Sequence, residues 1–161
     1  MMDQDTFIKH LMGEDELGVV VRAHIHIEAR LNELLSRLGV DMKSLDKAEL
    51  DYHQRVHLAV ALGLKKQHCG PLLAFGSIRN AFAHNIDATL TKGRVTNLYN
   101  TLSPEDQEIA QRVYQSTNAT LNAFGQPNSL RGLEPKDQFV ILATAVHGML
   151  RAAVVQLGGQ A

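Results

Sequence analysis

Three polar side chains at the end of one apolar segment could perform acid–base and phosphate chemistry. They are Arg79, Asn80 and His84, in a stretch that begins with Ile78 and ends with Asn85. Histidine titrates near neutrality, so His84 can accept or donate a proton. Arginine stays charged and can bind phosphate oxygens through two N–H donors at once. Asn80 could orient either the imidazole or the phosphate, and the three residues form our candidate catalytic set.

A helix predicted over Pro71 to His84 would carry all three residues. At about 100° per residue, Asn80 and His84 lie one above the other, opposite an apolar face. The apolar face is formed by Phe75, Ile78 and Phe82. Small or apolar residues share the side of Asn80 and His84, namely Leu73, Gly76 and Ser77. Because small residues allow another backbone to approach closely, we predict that this side is an interface with a second copy of the chain.

Hydrophobic periodicity elsewhere predicts helices and no strand. The expected fold is all-α, an up-and-down bundle of about five to seven helices in a single domain over residues 1–161. Residues 103–157 contribute two further long helices to it. Besides the helix over Pro71 to His84, the predicted helices are Asp5 to Met12, Asp15 to Leu38, Leu50 to Leu64, Val95 to Thr101, Ser103 to about Phe124, and Pro135 to Leu157. Gly125 to Leu133 is predicted to be a loop.

Charge and cysteine content narrow the class of protein. The net charge is −1, and the lysines and arginines are scattered, so neither a nucleic-acid-coating surface nor a dedicated DNA-recognition helix is expected. The single cysteine, Cys69, cannot form an intramolecular disulfide, and the N-terminus has no secretory pattern. Both features predict a cytoplasmic protein.

One apolar stretch, Phe139 to Leu157, is almost long enough to span a membrane. It contains His147 and Arg151, and a charge near the bilayer centre costs at least ~2.5 kcal/mol. A helix buried by partner helices explains the composition better, so no membrane association is predicted.

The residues at the end of the helix predicted over Pro71 to His84 resemble a motif of HEPN domains. Arg79, the polar Asn80, three further residues and His84 match the Arg-polar-x-x-x-His pattern of that superfamily. HEPN domains are small helical bundles that usually dimerise, and in many of them these residues of two subunits form an RNA-cleaving site. The resemblance implies a homodimer, RNA as substrate, no metal and no cofactor, in which the RNA 2′-OH is the nucleophile. It also implies a toxin or defence role, restrained by an antitoxin-like partner protein.

A wider stretch is similar to the mannitol-repressor-like (MltR) family. The similar parts are the helix that contains Glu28, the segment from His57 to Leu64, and the segment around Arg79, so the similarity covers about residues 15–86. Residues 103–157 match only as further helices. This similarity implies a different function, a non-enzymatic regulator that acts through protein–protein contacts.

The same residues could instead have structural roles, in which Asn80 and His84 seal a dimer interface or cap a helix. Glu28 lies one helical turn after His24 on a mostly apolar stripe, so its carboxylate needs a partner, for which we propose Arg79. In that case Glu28 and His24 would support the motif. His53 and His57 have a spacing that can bind zinc, but a third ligand is not evident, so no metal site is predicted.

Overall fold

The computed structural model describes residues 3–121 and 129–158, and every regular element within them is helical. The predicted all-α bundle is therefore confirmed. Within those ranges the chain forms eight α-helices in the order α1 (Gln4–Met12), α2 (Glu16–Arg37), α3 (Met42–Lys47), α4 (Tyr52–Ala61), α5 (Cys69–His84), α6 (Lys92–Thr101), α7 (Pro104–Leu121) and α8 (Pro135–Gly158). Short 3-10 turns at Lys66–His68 and Leu130–Gly132 precede α5 and α8.

The described helices outnumber the predicted five to seven because α3 was not expected. This helix has only six residues, and Leu45 is the only buried one among them. One apolar position gives no period, so hydrophobic spacing could not reveal it. Its N-terminus is capped by the side chain of Asp41, which accepts the N–H of Lys43.

Local capping sets two helix ends that periodicity placed wrongly. α4 ends at Ala61 rather than Leu64, because Gly63 has a φ of 122° and closes the helix in a Schellman motif. α6 begins earlier than predicted, at Lys92, where the side chain of Thr91 caps the first turn. The predicted end of α7 at Phe124 lies outside the described residues, as do residues 125–128 of the predicted loop.

α8 is the central helix of the bundle and packs against α1, α2, α6 and α7. Its residues from Gln138 to His147 are buried without interruption. The helix is long and apolar enough to cross a membrane, but most of it is buried inside the bundle. Helices of the same chain therefore cover its apolar surface, as expected for a core helix.

His147 joins α8 to α1 and α2. The Phe7 ring of α1 stacks on the His147 ring at 4.5 Å between centroids, with 9° between the planes. Arg30 of α2 donates its Nε–H to His147 Nε2 at 3.2 Å. Burial, followed by the charge of Arg30, lowers the pKa of His147 to about 4. The imidazole is therefore neutral at pH 7 and accepts the arginine N–H.

Candidate functional site

α5 carries the candidate catalytic residues on the sides that the helical wheel predicted. Phe75, Ile78 and Phe82 are buried, and α5 packs against α2, α4 and α6. Asn80 and His84 are exposed. The predicted buried face is confirmed, and Asn80 and His84 are exposed as predicted, but Gly76, which was placed on the same side as them, is buried.

Arg79 lies at the boundary between these two faces, and one of its buried atoms makes no hydrogen bond. Its Nε is shielded from solvent and has no hydrogen-bond partner among residues 3–121 and 129–158. The predicted ion pair between Glu28 and Arg79 is wrong, because no carboxylate of those residues lies within 4 Å of an Arg79 side-chain nitrogen. Glu28 is instead 3.6 Å from His24 Nε2, and its side chain is 37% exposed, so water stabilises its charge.

His24 and Tyr52 fill the space beside Arg79. The His24 ring is buried, and it meets the edge of the Tyr52 ring at 4.5 Å between centroids. Burial, followed by the charge of Arg79, lowers the pKa of His24 to about 4, so this ring is neutral at pH 7. Neither His24 nitrogen makes a hydrogen bond. Its predicted supporting role is therefore packing beside Arg79 rather than charge pairing.

Tyr52 fixes the first turn of α4 against α5. Its hydroxyl donates to the backbone oxygen of Leu72 at 2.7 Å, and burial raises the pKa of the phenol above its usual range. The ring lies directly over Gly76, where an added Cβ would be 2.8 Å from Tyr52 Cε1. Gly76 was predicted to face a second copy of the chain, but it is buried inside its own chain.

Leu73 and Ser77, the other predicted interface residues, border a small surface cavity with a volume of about 290 Å³. Ser77 is exposed and Leu73 is partly buried. The cavity is also lined by Arg79 and Asn80 from α5, and by Asp51, Tyr52 and His53 from the start of α4. We call this depression the Arg79 cavity. Its polar lining can contact an anion through a guanidinium, an amide, a hydroxyl and an imidazole.

Gly76→Ala should destabilise the protein by about 1–3 kcal/mol, since the new methyl group overpacks the buried Tyr52 ring. Gly148→Ala is a matched control in another helix, because an added Cβ at Gly148 meets nothing within 4 Å. It should stabilise the protein by up to about 1 kcal/mol through helix propensity. Urea unfolding measures both variants, and equal stabilisation by both would contradict the close contact at Gly76.

His84 lies in a different depression from Arg79. That depression has a volume of about 600 Å³ and is lined by Asp15, Glu16 and Leu17 from the start of α2, and by Phe82 and Ile86. Within one chain, the structure therefore brings Arg79 and Asn80 together in one cavity and leaves His84 at the rim of another. We call the second depression the His84 depression.

An exposed apolar stripe on α2 runs away from the His84 depression. Leu17, Val21 and Ile25 are 51%, 38% and 56% exposed, and they follow one another at intervals of four residues. Ile86, just after α5, is 98% exposed. We call these four residues the apolar stripe. The sequence analysis missed it, although the four-residue spacing within α2 is visible in the sequence.

His57, His53 and Cys69 lie near one another on the outside of α4 and α5. The His53 and His57 rings are 4.8 Å apart, and Cys69 Sγ is 4.0 Å from His57 Nδ1. Among residues 3–121 and 129–158, however, no three histidine, cysteine or carboxylate side chains are arranged to hold a metal ion.

Comparison of the chain with protein-family models, with curated proteins and with solved structures gave no match.

Proposed function

We propose that this protein is a HEPN-like helical dimer that cleaves RNA without a metal ion, using Arg79, Asn80 and His84. The observation that carries the proposal is the lining of the Arg79 cavity, where a guanidinium with no ion-pair partner among the described residues lies beside the amide of Asn80 and the hydroxyl of Ser77. The Arg-polar-x-x-x-His resemblance supplies the reaction class.

The state of Arg79 supports an external anion as its partner. A buried donor without a hydrogen bond costs about 1–3 kcal/mol, and water, an ion or a ligand usually satisfies such a group. Glu28, the predicted partner, forms no ion pair with Arg79. Because Arg79 also lines the Arg79 cavity, an RNA phosphate there would receive the bidentate grip that a guanidinium offers.

A second copy of the chain would complete the arrangement. Because Arg79 and His84 of one chain line different depressions, a two-fold pair offers a way to bring an arginine and a histidine to one phosphate. The apolar stripe lies beside the His84 depression and would be covered in such a pair. Leu73 and Ser77 would lie in the same interface. Gly76 would not, because its role is to leave room for the Tyr52 ring of its own chain.

The apolar stripe also favours a second candidate function. A contiguous apolar surface beside a polar site is typical of a protein–protein interface. A regulator of the mannitol-repressor-like kind, which binds another protein and cleaves nothing, would use this stripe and would need Arg79 only for packing or partner contacts.

Two measurements on the wild-type protein distinguish these candidates. The nuclease should degrade a mixed cellular RNA pool in excess EDTA, and light scattering should give about twice the chain mass. Cleavage that disappears with EDTA and returns with zinc would contradict the metal-independent site. Intact RNA at every protein concentration would favour the regulator, and a clean monomer at micromolar concentration would overturn the dimer.

A further inference from the structure

His53 lines the Arg79 cavity, although the sequence motif does not include it. It is the second residue of α4 and is exposed. The position of this turn is well defined, because the Asp51 side chain accepts the N–H of Gln54 at 2.8 Å and the Gln54 side chain accepts the N–H of Asp51 at 2.9 Å. The neighbouring Tyr52 packs against α5 through the contact of its ring with Gly76. His53 is therefore carried on a capped and anchored turn.

The cavity that His53 borders has the chemistry of a phosphate site. Arg79 offers a guanidinium, and Asn80 and Ser77 offer an amide and a hydroxyl. Among the described residues that line the cavity, the only carboxylate is that of Asp51, which caps the first turn of α4. An imidazole at this position can contact a phosphate that Arg79 binds.

The position of His53 also meets a need of the proposed reaction. Two proton transfers are required: the 2′-OH loses a proton as its oxygen attacks phosphorus, and the 5′-oxygen gains one as its bond to phosphorus breaks. The products are a 2′,3′-cyclic phosphate and a free 5′-OH. His84 can perform one transfer, but it lies outside the Arg79 cavity of its own chain.

We propose that His53 contacts the phosphate held by Arg79 and acts as the second proton-transfer residue, with His84 as the first. This inference rests on the proposed RNA cleavage for its catalytic half. Its binding half, a phosphate shared by His53 and Arg79 of one chain, stands on the cavity alone.

His57 provides a matched control for the test. It is an exposed histidine one turn further along α4, its ring is 4.8 Å from that of His53, and it does not line the Arg79 cavity. His53→Ala should lower the rate of RNA cleavage by about 100-fold or more, since positioned proton-transfer groups typically supply that factor. His57→Ala should leave the rate unchanged. The His53 variant should also lose one limb of the pH–rate profile.

Inorganic phosphate gives a readout that does not depend on cleavage. In the NMR spectrum of the full chain, phosphate should shift the imidazole resonance of His53 and leave that of His57 unchanged, and Arg79→Ala should abolish the shift. If His53→Ala cleaves RNA at the same rate as the wild type, the catalytic role of His53 is wrong. If wild type cleaves no RNA but the phosphate shift appears, the proposed function fails and the shared phosphate site stands. If phosphate does not shift His53, the inference is wrong.

Discussion

His84→Ala should reduce RNA cleavage by about 100-fold or more, because a positioned proton-transfer group typically contributes at least that factor. His84 is exposed and α5 is held by its buried face, so the variant should keep its fold. The cleavage rate and the light-scattering mass are measured on the same preparations. Loss of cleavage with retention of the dimer is the expected pair of results.

Arg79→Lys tests the other half of the same site. A lysine keeps the charge but cannot reproduce the two-pronged contact of a guanidinium with phosphate, so this variant should also cleave poorly. The wild-type products should end in a 2′,3′-cyclic phosphate, because the RNA supplies its own nucleophile. If the wild-type protein cleaves no RNA and His84→Ala weakens its dimer or partner complex, the protein is the regulator instead.

Acidification should unfold this protein through two histidines that are buried in neutral form. The pKa values of His24 and His147 are lowered to about 4, and burial is the first cause for both. Both folded-state values lie below the unfolded value of 6.5. As the pH falls below that value, the unfolded chain binds protons that the folded chain binds poorly. Stability is therefore fully present above pH 6.5 and is lost as the pH falls towards 4.

Each of these histidines should contribute about 3 kcal/mol to the loss, because one unit of pKa shift corresponds to ~1.4 kcal/mol. Urea unfolding of wild type between pH 7 and 4 measures the total. His147→Gln keeps an acceptor for Arg30 but removes a titrating group, so its unfolding free energy should fall less steeply with pH. His10→Gln alters an exposed residue and should retain the wild-type slope. An unchanged slope in His147→Gln would contradict the assignment.

The fold could be predicted from sequence to the extent that local rules determine it. The long helices followed from apolar spacing, and the predicted end of α2 at Leu38 lies next to Gly39, which has a φ of 88° and closes the helix in a Schellman motif. The apolar face of α5 and the exposure of Asn80 and His84 also followed from spacing alone, whereas the burial of Gly76 did not. α3 was not predicted, because one buried leucine in six residues produces no hydrophobic periodicity.

The site could be predicted only in part, because its geometry depends on contacts between helices. The spacing of Arg79 and His84 does not reveal that they line different depressions, since this depends on how α2 and α4 flank α5. Glu28 was paired with Arg79 on the expectation of burial, but its side chain remains partly in water. The contact of Tyr52 with Gly76, and with it the place of His53, depends on the packing of α4 on α5 and has no local signature.

The central position of α8 sets the order in which the protein can assemble during synthesis. α2 and α8 form the most extensive helix pair of the bundle, and Arg30 and His147, which bond across it, are 117 positions apart in the chain. Helices α1, α4 and α5 also pack against α2, but the side of α2 that faces α8 has no permanent cover until α8 has left the ribosome. Folding can therefore finish only after α8 has been translated, and the nascent chain exposes this apolar surface until then.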